Sequence, residues 1–262
     1  MTRIVKKFRQ LKKSNKKAFI AFITAGYPSL DITKKLIFEF TKAGVDIIEL
    51  GVPFSDPLAD GPIIQESSWM ALKRKINLND ILNLVKVARK SIDTPICLMT
   101  YYNPIFCFGE ERFVRKAKNC GVDGVIIPDL PPEEGRNLIK LATRYNLDTI
   151  FFLSPTSTLK RIRFIGRISK GFIYYVSLTG VTGPRKRLPL DLIENLKKIK
   201  RLNPTKPVCV GFGVSNNFQV RQIFKFSDGV IVGSAIIKKI KENIASPDLV
   251  KKVGEFVFNL KG

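Results

Sequence analysis

The stretch Glu49-Leu50-Gly51-Val52-Pro53-Phe54-Ser55-Asp56-Pro57-Leu58-Ala59-Asp60-Gly61-Pro62-Ile63-Ile64-Gln65 runs from a strand end, through a proline-rich loop, into the start of a helix. From Asp46 to Gly51 the two-residue period puts Ile47, Glu49 and Gly51 on one face and Ile48 and Leu50 on the other. Glu49 thus shares a face with core residues. A carboxyl group among Ile, Leu and Val loses hydration, which raises its pKa towards the range useful for proton exchange near neutrality. The loop then supplies Ser55, Asp56 and Asp60, and the small neighbours Ala59 and Gly61 leave Asp60 accessible. Two carboxylates in contrasting surroundings are the pattern of an acid/base site. The structural alternative is a solvated strand end at Glu49, with turn or cap roles for Asp56 and Asp60.

Outward from this stretch, short apolar runs recur at 18–24, 46–51, 95–101, 124–128, 148–153, 172–177, 207–211 and 229–232. Segments with helical spacing lie between them, at 29–44, 62–92, 109–120, 132–146, 157–169, 189–202, 215–226 and 234–261. Eight strands alternating with eight helical segments predict an α/β fold, a (β/α)8 TIM barrel, with an open doubly wound sheet as the competitor. No G-x-G-x-x-G follows the first strand, which argues against a dinucleotide fold. Ile4, Val5, Phe8 and Leu11 mark an extra amphipathic helix before the first strand. With no linker or break in composition, residues 1–262 are expected to form one domain, and a barrel of this kind takes about 250 residues.

The absence of histidine excludes Ser-His and Cys-His catalysis and the common histidine metal sites. Proton transfer must use other groups, and no carboxylate metal motif stands out. Cys97, Cys107, Cys120 and Cys209 show no disulfide framework or C-x-x-C spacing, which fits a reducing compartment. A formal charge of +23 invites a nucleic-acid reading. Beyond residues 1–17, however, the basic residues are dispersed over 73–75, 86–90, 160–170, 185–187, 197–206 and 238–241, with no aromatic ladder beside them. A solvated basic surface is the expectation, with neither nucleic acid nor membrane as partner. The basic amino terminus leads into an apolar run too short for a signal peptide.

In such barrels the chemistry collects at the carboxyl ends of the strands. Those ends offer Phe22 and Thr24, Glu49 to Asp60, Tyr101 to Pro104, Asp129, Ser154-Pro155, Tyr174 to Ser177, Gly211 to Gly213, and Gly233-Ser234. Val210 to Ser215 and Val232 to Ala235 each run from a strand through glycine into a helix, where free N–H groups attract an anion. These are strands seven and eight, whose loops form the usual phosphate cradle of this architecture. The glycine-rich loop from Leu178 to Arg187 has the character of a lid that closes over substrate, with plain flexibility as the alternative.

The chain closely resembles the alpha subunits of tryptophan synthase over essentially its whole length. The resemblance rests on Glu49 to Pro62, Ser177 to Gly183, Gly211 to Ser215 and Val232 to Ala235. It implies a lyase of tryptophan biosynthesis that cleaves indole-3-glycerol phosphate to indole and glyceraldehyde 3-phosphate without cofactor or metal. On this resemblance Glu49 exchanges the protons and Asp60 accepts a hydrogen bond from the indole N–H. Phe22, Ile64, Tyr101, Ile126, Tyr174 and Phe212 would line the indole slot. Backbone N–H groups of Gly183, Gly213, Gly233 and Ser234 would hold the phosphate, and Thr182 would help close the site. Leu178 departs from the arginine of some members, and Pro184 adds stiffness to the loop.

The implied partner is the beta subunit, in an alpha2-beta2 heterotetramer, and pyridoxal phosphate belongs to that partner. The segment from Pro53 to Pro57 with Asp56, the loop from Tyr102 to Phe106, and Pro131-Pro132 correspond to docking surfaces. The expected compartment is the cytoplasm, or the plastid stroma for a plastid-encoded chain. Two rivals remain at this point. One is another phosphate-binding barrel, such as a sugar-phosphate isomerase, and the other is a barrel that has lost catalysis and serves as an allosteric or nucleic-acid-binding partner.

Overall fold

Eight short segments, almost wholly buried, form the strands β1 (Ala18–Thr24), β2 (Ile47–Gly51), β3 (Ile96–Met99), β4 (Gly124–Ile126), β5 (Asp148–Leu153), β6 (Ile173–Val176), β7 (Val208–Gly211) and β8 (Gly229–Val232). The computed structural model describes residues 1–177, 188–211 and 213–262. All neighbouring strands are parallel, and β8 pairs back onto β1 to close the barrel in sequence order. Strands covered on both faces read as near-continuous apolar runs, as β1 does in Ala-Phe-Ile-Ala-Phe-Ile-Thr. The (β/α)8 expectation therefore stands and the open sheet is excluded.

The helices are α1 (Arg3–Lys13), α2 (Leu30–Lys42), α3 (Pro62–Lys73), α4 (Leu78–Ala88), α5 (Tyr102–Phe108), α6 (Glu110–Cys120), α7 (Arg136–Arg144), α8 (Leu159–Ile168), α9 (Leu190–Leu202), α10 (Asn217–Phe224), α11 (Ser234–Glu242) and α12 (Leu249–Lys261). Two expected helical segments are split. The 62–92 segment breaks at Lys75, whose φ is +58°, and restarts at a capping box in which Asn77 and Asp80 satisfy each other's backbone N–H groups. The 234–261 segment breaks around Ser246-Pro247, since proline cannot continue a helix. Residues 102–108, expected as loop, form α5. No helix among the described residues is long and apolar enough to cross a membrane.

Two devices hold the amino-terminal end of the barrel. The first is α1, whose Ile4, Phe8 and Leu11 occupy one helical face and pack into the same buried cluster as Ile20, Ile47, Ile126 and Ile150 of the barrel interior. Glycine makes room for it: a Cβ on Gly124 would lie 2.9 Å from Ile4 Cδ1, and one on Gly171 3.1 Å from Ile4 Cγ2. The second is an aspartate placed just before β2, β4 and β8. Asp46, Asp123 and Asp228 accept from the backbone N–H groups of Phe19, Ile96 and Val208 at 2.9, 3.0 and 3.0 Å. Each clamp carboxylate also lies between two cations: Lys7 and Lys261 at Asp46, Arg3 and Arg89 at Asp123, Lys17 and Lys200 at Asp228. Before β6 the position belongs to Phe172, whose ring meets Phe8 of α1 at 5.9 Å.

Ile4→Ala empties a fully buried site between two glycines, where truncation costs about 2–5 kcal/mol. The expected result is a lower denaturant midpoint with an unchanged slope. An unaltered midpoint would show that α1 takes no part in closing the barrel.

Candidate active site

Glu49 is the central residue of β2, level with Phe22 of β1 and Cys97 of β3. Its side chain is 1% exposed, and among the described residues neither carboxylate oxygen has a hydrogen-bond partner. Burial of this kind strongly disfavours the ionised form. It pushes the Glu49 pKa up to about 8, and the nearby Asp60 carboxylate adds to the rise. The group still opens on a cavity of about 770 Å³ at the carboxyl end of the barrel, which Asp60 also lines.

Asp60 is positioned by the loop between β2 and α3. Turns at Pro57–Asp60 bring it to the cavity, Asp60 N–H donating to Pro57 O at 3.0 Å, and Pro62 then starts α3. Gln65 Nε2 donates to Asp60 O at 2.8 Å. The Tyr101 hydroxyl accepts from Ala59 N–H at 2.9 Å and donates to Asp60 Oδ2 at 3.1 Å, while its ring stacks on Phe54 at 5.2 Å. Tyr101 thereby fastens the loop to the end of β3. Burial pushes Asp60 up to about 6, opposed by the Tyr101 hydrogen bond, which favours the carboxylate. Asp56 instead takes a local bond from Ser55 at 2.5 Å and stays exposed. Asp129 accepts from Tyr102 N–H at 2.9 Å, so it caps α5.

Phe22, Ile64 and Tyr174 line the cavity together with Met99, Phe152 and Ile231. Two glycines allow the rings to lie where they do. A Cβ on Gly51 would fall 2.6 Å from Phe22 Cζ, and one on Gly211 2.6 Å from Tyr174 Cε1. Tyr174 also meets Phe152 at 4.8 Å. Tyr101 touches the site through Asp60. Ile126, expected in the slot, is fully buried in the barrel interior and is not part of the cavity wall. Pro128, two residues past the end of β4, lines the cavity instead.

Gly213, Gly233 and Ser234 also line the cavity, joined by Ser215, Ala235 and Lys238. Helix α11 begins at Ser234 with no side-chain cap, leaving backbone donors for an anion. Leu178, Thr182, Gly183, Pro184 and Phe212, with the rest of the expected lid, lie outside the described residues. Sequence reasoning missed Arg161 and Lys238, which it left among dispersed surface cations. Their signal was positional, since each lies within the first five residues of a helix that follows a strand end. Arg161 is paired with Glu133. Among the described residues no group of three or more Cys, Asp or Glu side chains gathers to hold a metal.

Because Glu49 holds its proton far more tightly when folded, its contribution to stability is fully present below its ordinary value of 4.5 and is lost as pH rises towards about 8. Glu49→Gln, a neutral isostere, removes that loss. Its Tm should exceed the wild-type value by roughly 3–8 °C at pH 8 and by much less at pH 5. Equal differences at the two pH values would show that the carboxyl group is not desolvated.

The family model described as tryptophan synthase alpha chain matches residues 8–260. The tryptophan synthase alpha chain of Geotalea uraniireducens is 49% identical over 261 residues, covering 100% of this chain and 97% of that protein. The crystal structure of tryptophan synthase subunit alpha from Legionella pneumophila superposes with a TM-score of 0.93 at 38% identity, covering 100% and 97% of the two chains. A chain in the structure of the tryptophan synthase complex from Pyrococcus furiosus gives 0.85 at 36% identity, covering 93% and 97%. A family model that spans nearly the whole chain, a relative at 49% identity and a shared barrel fold together show that this chain belongs to the tryptophan synthase alpha chain family.

Proposed function

We propose that this chain is the lyase that cleaves indole-3-glycerol phosphate to indole and glyceraldehyde 3-phosphate, with Glu49 moving the protons and Asp60 stabilising the ring. The observation that carries the reading is the buried, unpartnered Glu49 carboxyl group opening on the same cavity as Asp60. A carboxyl group whose pKa lies near 8 is mostly protonated at neutral pH and is therefore an acid poised to give its proton away.

The reaction follows from that state. Protonated Glu49 delivers its proton to C3 of the indole, and the positive charge that develops passes to the ring nitrogen. The Asp60 carboxylate accepts the hydrogen bond from that N–H and stabilises the charge across a short, poorly solvated gap. Glu49, now ionised, takes the proton from the side-chain hydroxyl next to C3. The C–C bond breaks, its electron pair restores the C2–C3 double bond and neutralises the nitrogen, and the hydroxyl carbon becomes the aldehyde of glyceraldehyde 3-phosphate. One proton enters at C3 and one leaves the hydroxyl, so a single residue serves both steps. Phe22 and Tyr174 would hold the ring, and the N–H groups of Gly213, Gly233 and Ser234, with Gly183, would hold the phosphate. Ile64, Tyr101, Thr182 and Phe212 complete the proposed site.

No cofactor or metal enters this scheme. The proposed partner is the beta subunit, to which the pyridoxal phosphate would belong, and a chain similar to this one occurs in the structure of the tryptophan synthase complex from Pyrococcus furiosus. Leu58, which lines the cavity, is 90% exposed and Phe106 of α5 is 66% exposed, and apolar side chains left in water suit a docking surface. The bacterial origin of the similar alpha chains supports a cytoplasmic setting.

Mixing the purified chain with indole-3-glycerol phosphate, with and without a beta subunit, tests the assignment. Glu49→Gln and Asp60→Asn should each lower kcat/KM by roughly 100-fold or more while circular dichroism stays native. Full turnover in both variants would refute it. The wild-type pH profile of kcat/KM should be bell-shaped, falling below about 6 as Asp60 gains a proton and above about 8 as Glu49 loses one. A profile flat from pH 5 to 9 would contradict those roles.

A further inference from the structure

Resting on the function just proposed, we infer that Lys238 is the charged ligand of the substrate phosphate, completing a cradle otherwise made of neutral backbone donors. Gly213, Gly233 and Ser234 contribute N–H groups and the partial positive end of α11, worth about half an elementary charge. A phosphate monoester brings close to two negative charges. The wall around it contains two described cations, Arg161 and Lys238. Arg161 is already neutralised by Glu133.

The three lysines of α11 divide by partner. Lys241 is bonded to both oxygens of Glu66 at 2.7 Å on the outside of the barrel. Lys239 lies 5.9 Å over the ring of Phe256, against α12. Lys238 lines the cavity, and among the described residues it has no carboxylate, carbonyl or ring as partner. It is also one turn after Ser234, and residues four apart share a helix face. Side chains on a helix lean towards its amino terminus, so a lysine here covers the turn where the free N–H groups of Gly233 and Ser234 begin. A flexible ammonium at that place meets the phosphate as it arrives and shields its charge once it is seated.

The experiment compares Lys238→Gln and Lys238→Arg with Lys239→Gln, which removes the same net charge from the same helix away from the cavity. Lys238→Gln should raise KM for indole-3-glycerol phosphate roughly tenfold with kcat within about twofold, Lys238→Arg should restore most of the loss, and Lys239→Gln should behave as wild type. Inhibition by glyceraldehyde 3-phosphate should weaken in step with KM, while inhibition by indole, which has no phosphate, should not change. A lysine of merely structural importance would disturb both inhibitors alike. Calorimetric titration with inorganic phosphate reads the same site without turnover, so a wild-type chain that binds phosphate through Lys238 yet cleaves nothing would refute the lyase reading and leave this one standing. Equal phosphate affinity in wild type and Lys238→Gln, or an equal loss in Lys239→Gln, would overturn it.

Discussion

The constraint on which the rest depends is a carboxyl group held out of water with nothing to bind. Glu49 sits at the level of Phe22 and Cys97, and both of its oxygens lack partners among the described residues. An ordinary core would satisfy or exclude such a group, because an unpaired buried polar atom costs about 1–3 kcal/mol. Here the cost has a chemical return: a proton kept near neutrality and a base without competing hydrogen bonds. Asp60 is the counterpart. It lies at the same cavity with a tyrosine hydroxyl donating to it, and so ionises more readily. One carboxyl is tuned by deprivation and the other by a single donor, a difference on which the proposed division into acid and charge-stabilising roles rests.

The strain of that arrangement is met at the opposite end of the barrel. The amino-terminal face has three aspartate clamps, each flanked by two cations, and a helix whose isoleucine fills a hollow between glycines. The clamp carboxylates there are paired, in contrast to Glu49. A part of the positive charge of this basic chain therefore has structural employment: six of its 45 Lys and Arg side chains meet the clamps. Separating a satisfied base from an unsatisfied top lets the top be tuned without loosening the whole, as expected for this class of barrel.

Much of this was legible in the sequence because it depends on local pattern. The two-residue period placed Glu49 on the inner face, and glycines after strands seven and eight marked the anion end. Helix breaks were harder. The Asn77–Asp80 capping box was present in the chain, but an apolar period running through 62–92 masked it. The length of β4 was harder still: whether a strand ends at Ile126 or two residues later depends on barrel stagger, which no local window contains. Arg161 and Lys238 were lost among many cations because composition reports how much charge there is, and only folding reports which charges face inward.

The aspartate clamps have one more implication. Each ties a strand to the next across a single crossover: β1 to β2, β3 to β4, β7 to β8. Three of the four two-strand parcels of the barrel are thereby stitched, and the seams between parcels rely on ladder bonds and side-chain packing. New chain ends opened at the seam between β2 and β3 would leave every stitch within an unbroken parcel, whereas a cut inside α2 would sever a stitch from its anchor. The molecule thus has a grain along which it can be divided.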